Sequence, residues 1–192
     1  MCTLKSQGFD AVQKAGKLAR PKTRRHTGQM ADQPESRPPT DRAIRAVVEG
    51  NRLELIETGA ARLEQLLSII GNAEESPRLI FYIFDGDEPG HRVRNALVEA
   101  AGRGVRVRLL VDGFGCSTAE PDFFQPITSA GGDYCVFNPR YGARYLVRNH
   151  QKLVVADKAG GLIGGANVQD SYLTDDGPHH WRDLWLGIEG PT

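Results

Sequence analysis

The chain has 192 residues, of which 40% are hydrophobic and 25% charged, and its formal net charge at pH 7 is zero. This length suits one well-buried domain and leaves little room for a second. Residues 1–30 hold seven Lys and Arg and a single Asp, so the rest of the chain is acidic. An acidic body argues against a protein that binds nucleic acid through a broad basic face, and no run approaches the roughly 18 apolar residues that span a bilayer.

Residues 1–40 are predicted to form a disordered basic tail and a linker, since the final third of this segment is rich in Pro and polar residues. Met30 would be a reasonable natural start, which leaves open whether residues 1–29 belong to the native protein. The tail lacks the apolar core of a secretory signal peptide, and three Cys without C-x-x-C spacing suit a reducing compartment. We therefore expect a cytoplasmic protein, with peripheral contact at the inner membrane if its substrate is a lipid.

From residue 41 to residue 192, strand patterns alternate with helix patterns. The predicted elements are, in chain order, a helix over 42–49, a strand over 52–57, a helix that begins after Thr58, a strand over 78–84, a helix that ends before Gly104, a strand over 105–111, a short helix over 123–130, a strand over 134–137, a hairpin that turns at 158–161 and a final strand over 183–188. This alternation predicts an α/β domain with a mostly parallel or mixed sheet flanked by helices. No internal repeat is visible in the sequence.

The run from His150 to Asp157 is the most informative part of the sequence. It has the pattern H-x-K-x4-D, and six residues later it is followed by Gly164-Gly165-Ala166-Asn167. From average residue usage, the whole pattern should arise by chance on the order of once per 10⁸ starting positions. The run is apolar and β-branched, which predicts a strand, and residues i and i+2 of a strand share one face. We therefore expect the imidazole of His150 and the ammonium of Lys152 to point into the same space, as attack on a phosphodiester requires.

A second strand is predicted to return antiparallel to the first after a tight turn that follows Asp157. This hairpin would bring Gly164, Gly165 and Asn167 back beside His150. Glycine lets a ligand approach the backbone closely, and the amide of Asn167 can donate to a phosphate oxygen. The alternative interpretation is an ordinary hairpin with a buried Asp–Lys contact and a partly exposed His.

The motif resembles the signature of the phospholipase D superfamily, in which H-x-K-x4-D is followed by G-G or G-S-x-N. The resemblance covers roughly residues 51–192, and it extends to the bacterial cardiolipin synthase branch through the segments 52–59, 81–84, 111–115 and 137–142. It implies a phospholipase D-like half domain over 41–192, with its one motif at about 144–171.

The resemblance also implies a role for each motif residue. His150 would form a covalent phosphohistidine, while Lys152 and Asn167 would hold the phosphate oxygens. Asp157 would be mostly structural, and Asp183 matches the carboxylate that orients the nucleophilic histidine. The alternative for Asp183 is a strand-edge aspartate paired with the Arg before it. No metal and no cofactor are expected, because Lys152 supplies the cation.

The activity implied is phosphatidyl transfer from a phosphatidylglycerol-like phospholipid to an alcohol. Superfamily synthases carry two copies of the motif with the active site between them, but here no other His is followed by Lys two residues later. The second motif would come from a missing C-terminal half or from a homodimer partner. Two further alternatives remain open: a homodimeric single-motif nuclease or phospholipase, the former acting on nucleic acid, and an inactive truncated half that acts as an assembly module.

Two sets of residues beside the motif could extend the site. Arg144 and Arg148 approach it through a loop that contains Tyr and Gly, and they could bind a second phosphate or simply be solvated. His179 and His180 precede Trp181 in a Gly- and Pro-containing loop, where they could line the pocket or be exposed.

Overall fold

The computed structural model describes residues 44–116, 119, 122–138, 147–157, 160–176 and 179–191. The predicted tail and linker and Arg144 lie outside the described residues. The strands are β1 (Ile44–Val48), β2 (Asn51–Ile56), β3 (Arg78–Phe81), β4 (Arg108–Asp112), β5 (Asp133–Phe137), β6 (Leu153–Ala156), β7 (Gly160–Gly164) and β8 (Trp185–Glu189). The helices are α1 (Gly59–Gly71), α2 (Glu88–Gly102), α3 (Gln125–Ser129) and α4 (Asp170–Leu173).

The helix predicted over residues 42–49 is wrong, because residues 44–48 form strand β1. This strand pairs antiparallel with β2 over its whole length, through a turn at Glu49 and Gly50 whose φ angles are 50° and 83°. Two successive positive φ angles match the tight hairpin turn that suits the twist of paired strands. Ile44, Val47 and Val48 have helical spacing, but all three are β-branched and pair well in a sheet.

The remaining elements lie near their predicted positions. Helix α1 begins after Thr58, whose hydroxyl accepts a hydrogen bond from the backbone N–H of Ala61 at 3.2 Å. Helix α2 begins after Asp87, whose carboxylate accepts from the N–H of Gly90 at 3.0 Å. Both are side-chain caps that satisfy otherwise unpaired N–H groups at a helix start. No described helix is both long and apolar enough to cross a membrane.

The eight strands form one mixed sheet with the order β1-β2-β8-β7-β6-β3-β4-β5. The α/β class and the mixed sheet with flanking helices are confirmed, although parallel pairing is confined to β3-β4-β5 and the other pairs are antiparallel. Strands β2, β3, β4 and β5 point in the same direction, and each is joined to the next by a helix. Connections between parallel strands are almost always right-handed. Because the three connections here all run in the same direction across the sheet, α1, α2 and α3 lie on one face. The main core lies between that face and the helices.

The opposite face of the sheet carries a continuous line of apolar residues. One residue from every strand is a register partner of its neighbours in this line, which we call the apolar row: Ile44, Leu55, Leu186, Ile163, Leu153, Ile80, Leu110 and Cys135. Ile44 is 58% exposed and Ile163 is 48% exposed. Within the described part of the chain, no helix covers this face.

One edge of the sheet collects the segments that carry the motif. The C-terminal ends of β3, β4 and β7 meet the N-terminal ends of β6 and β8 there, because β6 and β8 run antiparallel to the other three. We call this edge the motif edge. Loops at the end of a sheet are where folds commonly place binding and catalytic groups.

Candidate active site

His150 and Lys152 meet at the motif edge, in the segment that leads into β6. The strand proper begins at Leu153, one residue later than Lys152, so the pair lies before the strand and not within it. The ammonium nitrogen of Lys152 is 3.1 Å from Nδ1 and 3.2 Å from Nε2 of the His150 imidazole. It also donates to the carbonyl of His150 at 2.9 Å. The two side chains therefore share one space, as their spacing predicted.

The two residues differ strongly in exposure. His150 is exposed, whereas Lys152 is only 5% exposed. Burial lowers the pKa of Lys152 from its ordinary value, and the nearby Asp183 carboxylate raises it in part. A buried cation with an accessible imidazole beside it leaves the imidazole open to a ligand from solvent.

Tyr82 completes the surroundings of the imidazole, and sequence reasoning did not single it out. It follows β3, and its ring centroid is 4.5 Å from that of His150, with the planes tilted by 54°. The Lys152 nitrogen lies 5.4 Å from the same ring centroid, within the range of a cation–π contact. The only sequence signal was the position of Tyr82 just after a buried strand.

Asn167 is held by the strand segment next to Tyr82. Its side chain is 2% exposed, and its Oδ1 accepts from the backbone N–H of Ile83 at 3.0 Å. Because Oδ1 accepts this bond, the other end of the side-chain amide, the NH₂ group of Nδ2, remains to donate. A donor at this position agrees with the expected contact between Asn167 and a phosphate oxygen.

Asp183 lies just before β8, close to Gly165 and Lys152. Its Oδ1 accepts from the N–H of Leu184 at 2.7 Å. In the part of the chain that the structure describes, its carboxylate forms no hydrogen bond with His150 and no ion pair with Arg182. Its recorded influence is electrostatic and acts on Lys152. Asp183 thus supports the cation, and the orienting bond to the imidazole that the resemblance implies is not seen.

The two motif glycines admit the protein's own strand β8. A Cβ built on Gly164 would lie 2.2 Å from the carbonyl oxygen of Leu184, and one on Gly165 would lie 2.5 Å from Oδ1 of Asp183. The expectation that Gly164 and Gly165 admit a ligand needs correction, because the close neighbours are β8 backbone and the Asp183 carboxylate.

Arg62 anchors the backbone of Asp183, and it too was missed by sequence reasoning. This α1 side chain is 1% exposed and donates to the carbonyls of Tyr172, Glu57 and Asp183, the last at 2.6 Å. Burial lowers the pKa of Arg62, and Asp183 and Asp175 act in the opposite direction. A guanidinium that bonds three segments fixes the approach of β8 to the site.

Asp112, at the end of β4, holds the segment that enters the motif. One carboxylate oxygen accepts from the N–H of Phe114 at 2.8 Å, and the other accepts from the N–H of Asn149 at 3.1 Å. The guanidinium of Arg148 lies 3.6 Å from the same carboxylate. Arg148 therefore pairs with a buried acid and does not lie in a solvated loop, and the phosphate contact expected for it stays a prediction.

Asp157 lies at the other end of β6 from His150. The seven-residue separation spans roughly 20 Å of extended chain. Its carboxylate accepts from the N–H groups of Glu74, Glu75 and Ser76 at 2.5, 3.0 and 2.7 Å. Burial opposes its ionisation, but the three bonds outweigh that effect and lower the pKa of Asp157. These contacts hold the backbone of residues 74–76, and the mostly structural role that the resemblance implies for Asp157 stays a prediction.

The remaining candidates are easily placed. His179 and His180 are exposed, and Arg144 lies outside the described residues. Among the described side chains, no group of three or more His, Cys, Asp or Glu could hold a metal ion.

Comparison with known proteins places this site in a family context. Residues 66–177 match the family model described as "Cardiolipin synthase, PLD-like domain". The major cardiolipin synthase ClsA of Bacillus subtilis is 38% identical over 147 residues, which are 74% of this chain and 30% of that protein. Cardiolipin synthase B of Escherichia coli is 34% identical over 148 residues, 74% of this chain and 36% of that protein. The chain thus spans about a third of the length of these relatives.

Two solved structures share the fold. The phospholipase D family member Nuc from Salmonella typhimurium superposes with a TM-score of 0.54 at 21% identity, over 73% of this chain and 84% of that one. Phosphatidylserine synthase from Haemophilus influenzae superposes with a TM-score of 0.60 at 16% identity, over 76% of this chain and 34% of that one.

Proposed function

The chain belongs to the cardiolipin synthase-like branch of the phospholipase D superfamily, and from this premise we propose that it transfers a phosphatidyl group from a phospholipid to an alcohol through a phosphohistidine. In the first step, a ring nitrogen of His150 attacks phosphorus, the bond from phosphorus to the leaving alcohol oxygen breaks, and that oxygen takes a proton. In the second step, the hydroxyl of the acceptor attacks phosphorus, loses its proton and displaces His150.

The observation that carries this proposal is the exposed imidazole of His150 within 3.2 Å of the buried ammonium of Lys152. The ammonium lies at nearly the same distance from both ring nitrogens, and a neutral imidazole carries a lone pair on one of the two. When a phosphodiester binds, the same ammonium is placed to donate to a non-bridging oxygen. The charge that grows on that oxygen in the transition state then meets a fixed cation.

Asn167 and Asp183 support this chemistry in different ways. The amide nitrogen of Asn167, turned from Ile83 by the bond to Oδ1, supplies a second donor for the phosphate. Asp183 counters part of the effect of burial on the pKa of Lys152 and so favours the charged ammonium. Neither residue needs to touch the imidazole for these roles.

The site also needs an acid for the leaving alkoxide, and we assign it to the histidine of a second motif-bearing domain. Such a domain could be a further part of the polypeptide or a second copy of the chain. The apolar row supplies a surface suited to this docking, because its residues Ile44 and Ile163 are 58% and 48% exposed and the burial of apolar groups is stabilising.

The test is to trap the covalent intermediate. The protein is incubated with phosphatidylglycerol, quenched at alkaline pH where phosphohistidine survives, and digested, and the modified peptide is located by mass spectrometry. We expect the phosphatidyl group on His150, no adduct in His150→Ala, and an unchanged adduct in His91→Ala, which alters an exposed histidine of α2. An adduct that persists in His150→Ala would overturn the proposal. Cleavage of single-stranded DNA, with phosphatidylglycerol untouched, would replace lipid transfer by the nuclease alternative.

A further inference from the structure

Exposed apolar side chains surround the site at the motif edge. Phe114 is 49% exposed, Val147 55%, Trp181 61% and Leu184 48%. We call these four residues the rim. Among the residues that the structure describes, the other large exposed hydrophobic ones lie elsewhere, in β1 or on the open sheet face: Ile44, Val47, Val48, Val155 and Ile163.

The rim lies on both sides of His150. Val147 is three residues before His150, and Phe114 follows β4, which lies on the β5 side of the motif strand. Leu184 directly precedes β8 on the other side, and its carbonyl accepts from the N–H of Gly165 at 3.3 Å. A ligand that reaches the imidazole must therefore pass between apolar groups.

Hydrogen bonds and a ring contact fix the positions of two rim residues, Val147 and Trp181. The carbonyl of Val147 accepts from the amide of Asn138 at 2.7 Å. The N–H of Trp181 donates to the carbonyl of Ser171 at 2.6 Å, and its indole stacks on Tyr172 with 6.2 Å between ring centroids. An indole stacked on one face and 61% exposed is held in place without being buried.

Charge complementarity indicates the occupant. Arg182, which is adjacent to Trp181, is an exposed cation within the rim, whereas Lys152 lies buried beside His150. Exposed apolar groups beside an exposed cation match the layers of an anionic lipid surface, with phosphates above acyl chains. Tryptophan prefers this boundary, and apolar side chains that bind there enter about 5–10 Å.

We infer that the rim docks onto an anionic lipid surface and so brings His150 to the level of the lipid phosphates. This inference rests on the proposed function, because it names the surface from which the phospholipid enters the same site. The rim residues come from separate loops, which suits a fluid surface, whereas the flat apolar row suits a second domain.

The experiment measures binding to vesicles of phosphatidylcholine with and without phosphatidylglycerol, by co-sedimentation of the full chain. Wild-type protein should bind the anionic vesicles, and the double variant Trp181→Ser with Leu184→Ser should bind about tenfold or more weakly, because two exposed apolar groups are lost. The matched control, Val47→Ser with Val48→Ser, removes residues that are 74% and 52% exposed in β1 and should bind as wild type does. Thermal denaturation checks that both double variants are folded.

Fluorescence gives a second readout, since the chain has two tryptophans. Trp181 should shift to shorter wavelength on vesicles, while Trp185, 1% exposed, should not respond. Equal binding by wild type and the rim variant would overturn the inference. The inference would also be overturned if the rim variant no longer formed a dimer but still bound vesicles, because the rim would then dock a second copy of the chain. His150→Ala should still bind vesicles, so vesicle binding without turnover by a wild-type dimer, in which the second motif is present, would reject the proposed function and leave the rim in place.

Discussion

The carboxylate of Asp183 occupies the space that a side chain at Gly165 would need. A Cβ at Gly165 would lie 2.5 Å from one carboxylate oxygen and 2.8 Å from the other. The second motif glycine therefore lets the acid that precedes β8 come close enough to act on the buried Lys152. The segments before β6, after β7 and before β8 are brought together by this contact.

Gly165→Ala should displace Asp183 and impair the site. Contacts under 3.0 Å force a shift of the neighbour, and because that neighbour is a side chain beside an exposed glycine, the shift should cost little stability. Turnover should fall further than stability explains, because Lys152 loses part of its compensating charge. Gly102→Ala is the control, since a Cβ there meets nothing within 4 Å. Thermal denaturation and turnover are measured on both, and equal turnover would disprove the steric role of Gly165.

Lys152→Met should remove activity without lowering stability. Loss of a donor to the developing oxyanion typically costs about 10²–10³ in turnover, whereas the substitution also removes a buried charge. Burial lowers the folded-state pKa of Lys152 from 10.5, so the unfolded chain binds its proton more tightly. The free energy of unfolding of wild type should therefore increase with pH between the folded-state pKa of Lys152 and pH 10.5. The variant should not show this increase. Denaturant unfolding at several pH values between 7 and 10.5 measures this, and a large loss of stability in Lys152→Met would argue for a structural role.

The sequence predicted the motif pair and most of the elements for local reasons. The spacing of His150 and Lys152 predicts side chains that meet, and the cap at Thr58 marks the start of α1. The helix pattern failed at β1, because pairing with the neighbouring strand β2 in a hairpin overrides its helical spacing. Long-range bonds hid Arg62, which lies beside the apolar stripe of α1 but bonds with residues more than 100 positions away.

Asp157→Asn should destabilise the fold while leaving the chemistry of folded protein intact. The carboxylate accepts three backbone N–H groups from residues 74–76, and hydrogen bonds to a charged group contribute about 1.5–3 kcal/mol each, of which an amide keeps part. Asn suits the positive φ of 52° at this position, so the change adds no backbone strain, but it removes the charge and also one of the two acceptor oxygens. Turnover per folded molecule should match wild type, as measured at a temperature where both are folded.

The pH dependence of the same pair tests the cause. The folded-state pKa of Asp157 lies below its ordinary value of 3.8, so its contribution is complete above that value and is lost as pH falls through the folded pKa. The stability difference between wild type and Asp157→Asn should therefore be constant near neutral pH and shrink below about pH 4. A difference that persists unchanged at low pH would mean that the charge is not responsible.

Asp112→Asn should loosen the segment that carries His150. Both carboxylate oxygens accept backbone N–H groups, so an amide NH₂ at either position faces a donor and leaves a bond unmade, at a cost of about 1–3 kcal/mol. Hydrogen exchange at the Asn149 amide should become faster, and kcat/KM should fall about tenfold if that cost is paid in positioning. Asp133→Asn, at an exposed carboxylate of β5, should change neither quantity. Unchanged exchange at Asn149 would remove Asp112 from the positioning of the motif.

The apolar row predicts how activity depends on protein concentration. A single motif provides the nucleophile His150 but no second motif histidine to protonate the leaving alkoxide, and general acid catalysis is worth about 10²–10⁴-fold. If a second copy supplies the acid, activity per molecule should rise with concentration, and it should rise together with the dimer fraction measured by analytical ultracentrifugation. Ile163→Asp places a charge in the middle of the row and should keep both quantities low, while Val47→Asp alters a residue that is 74% exposed outside the row and should behave as wild type. Strong activity from a demonstrated monomer, linear in concentration, would show that an acid within this chain serves the leaving group, and His179 and His180 would then be the residues to replace.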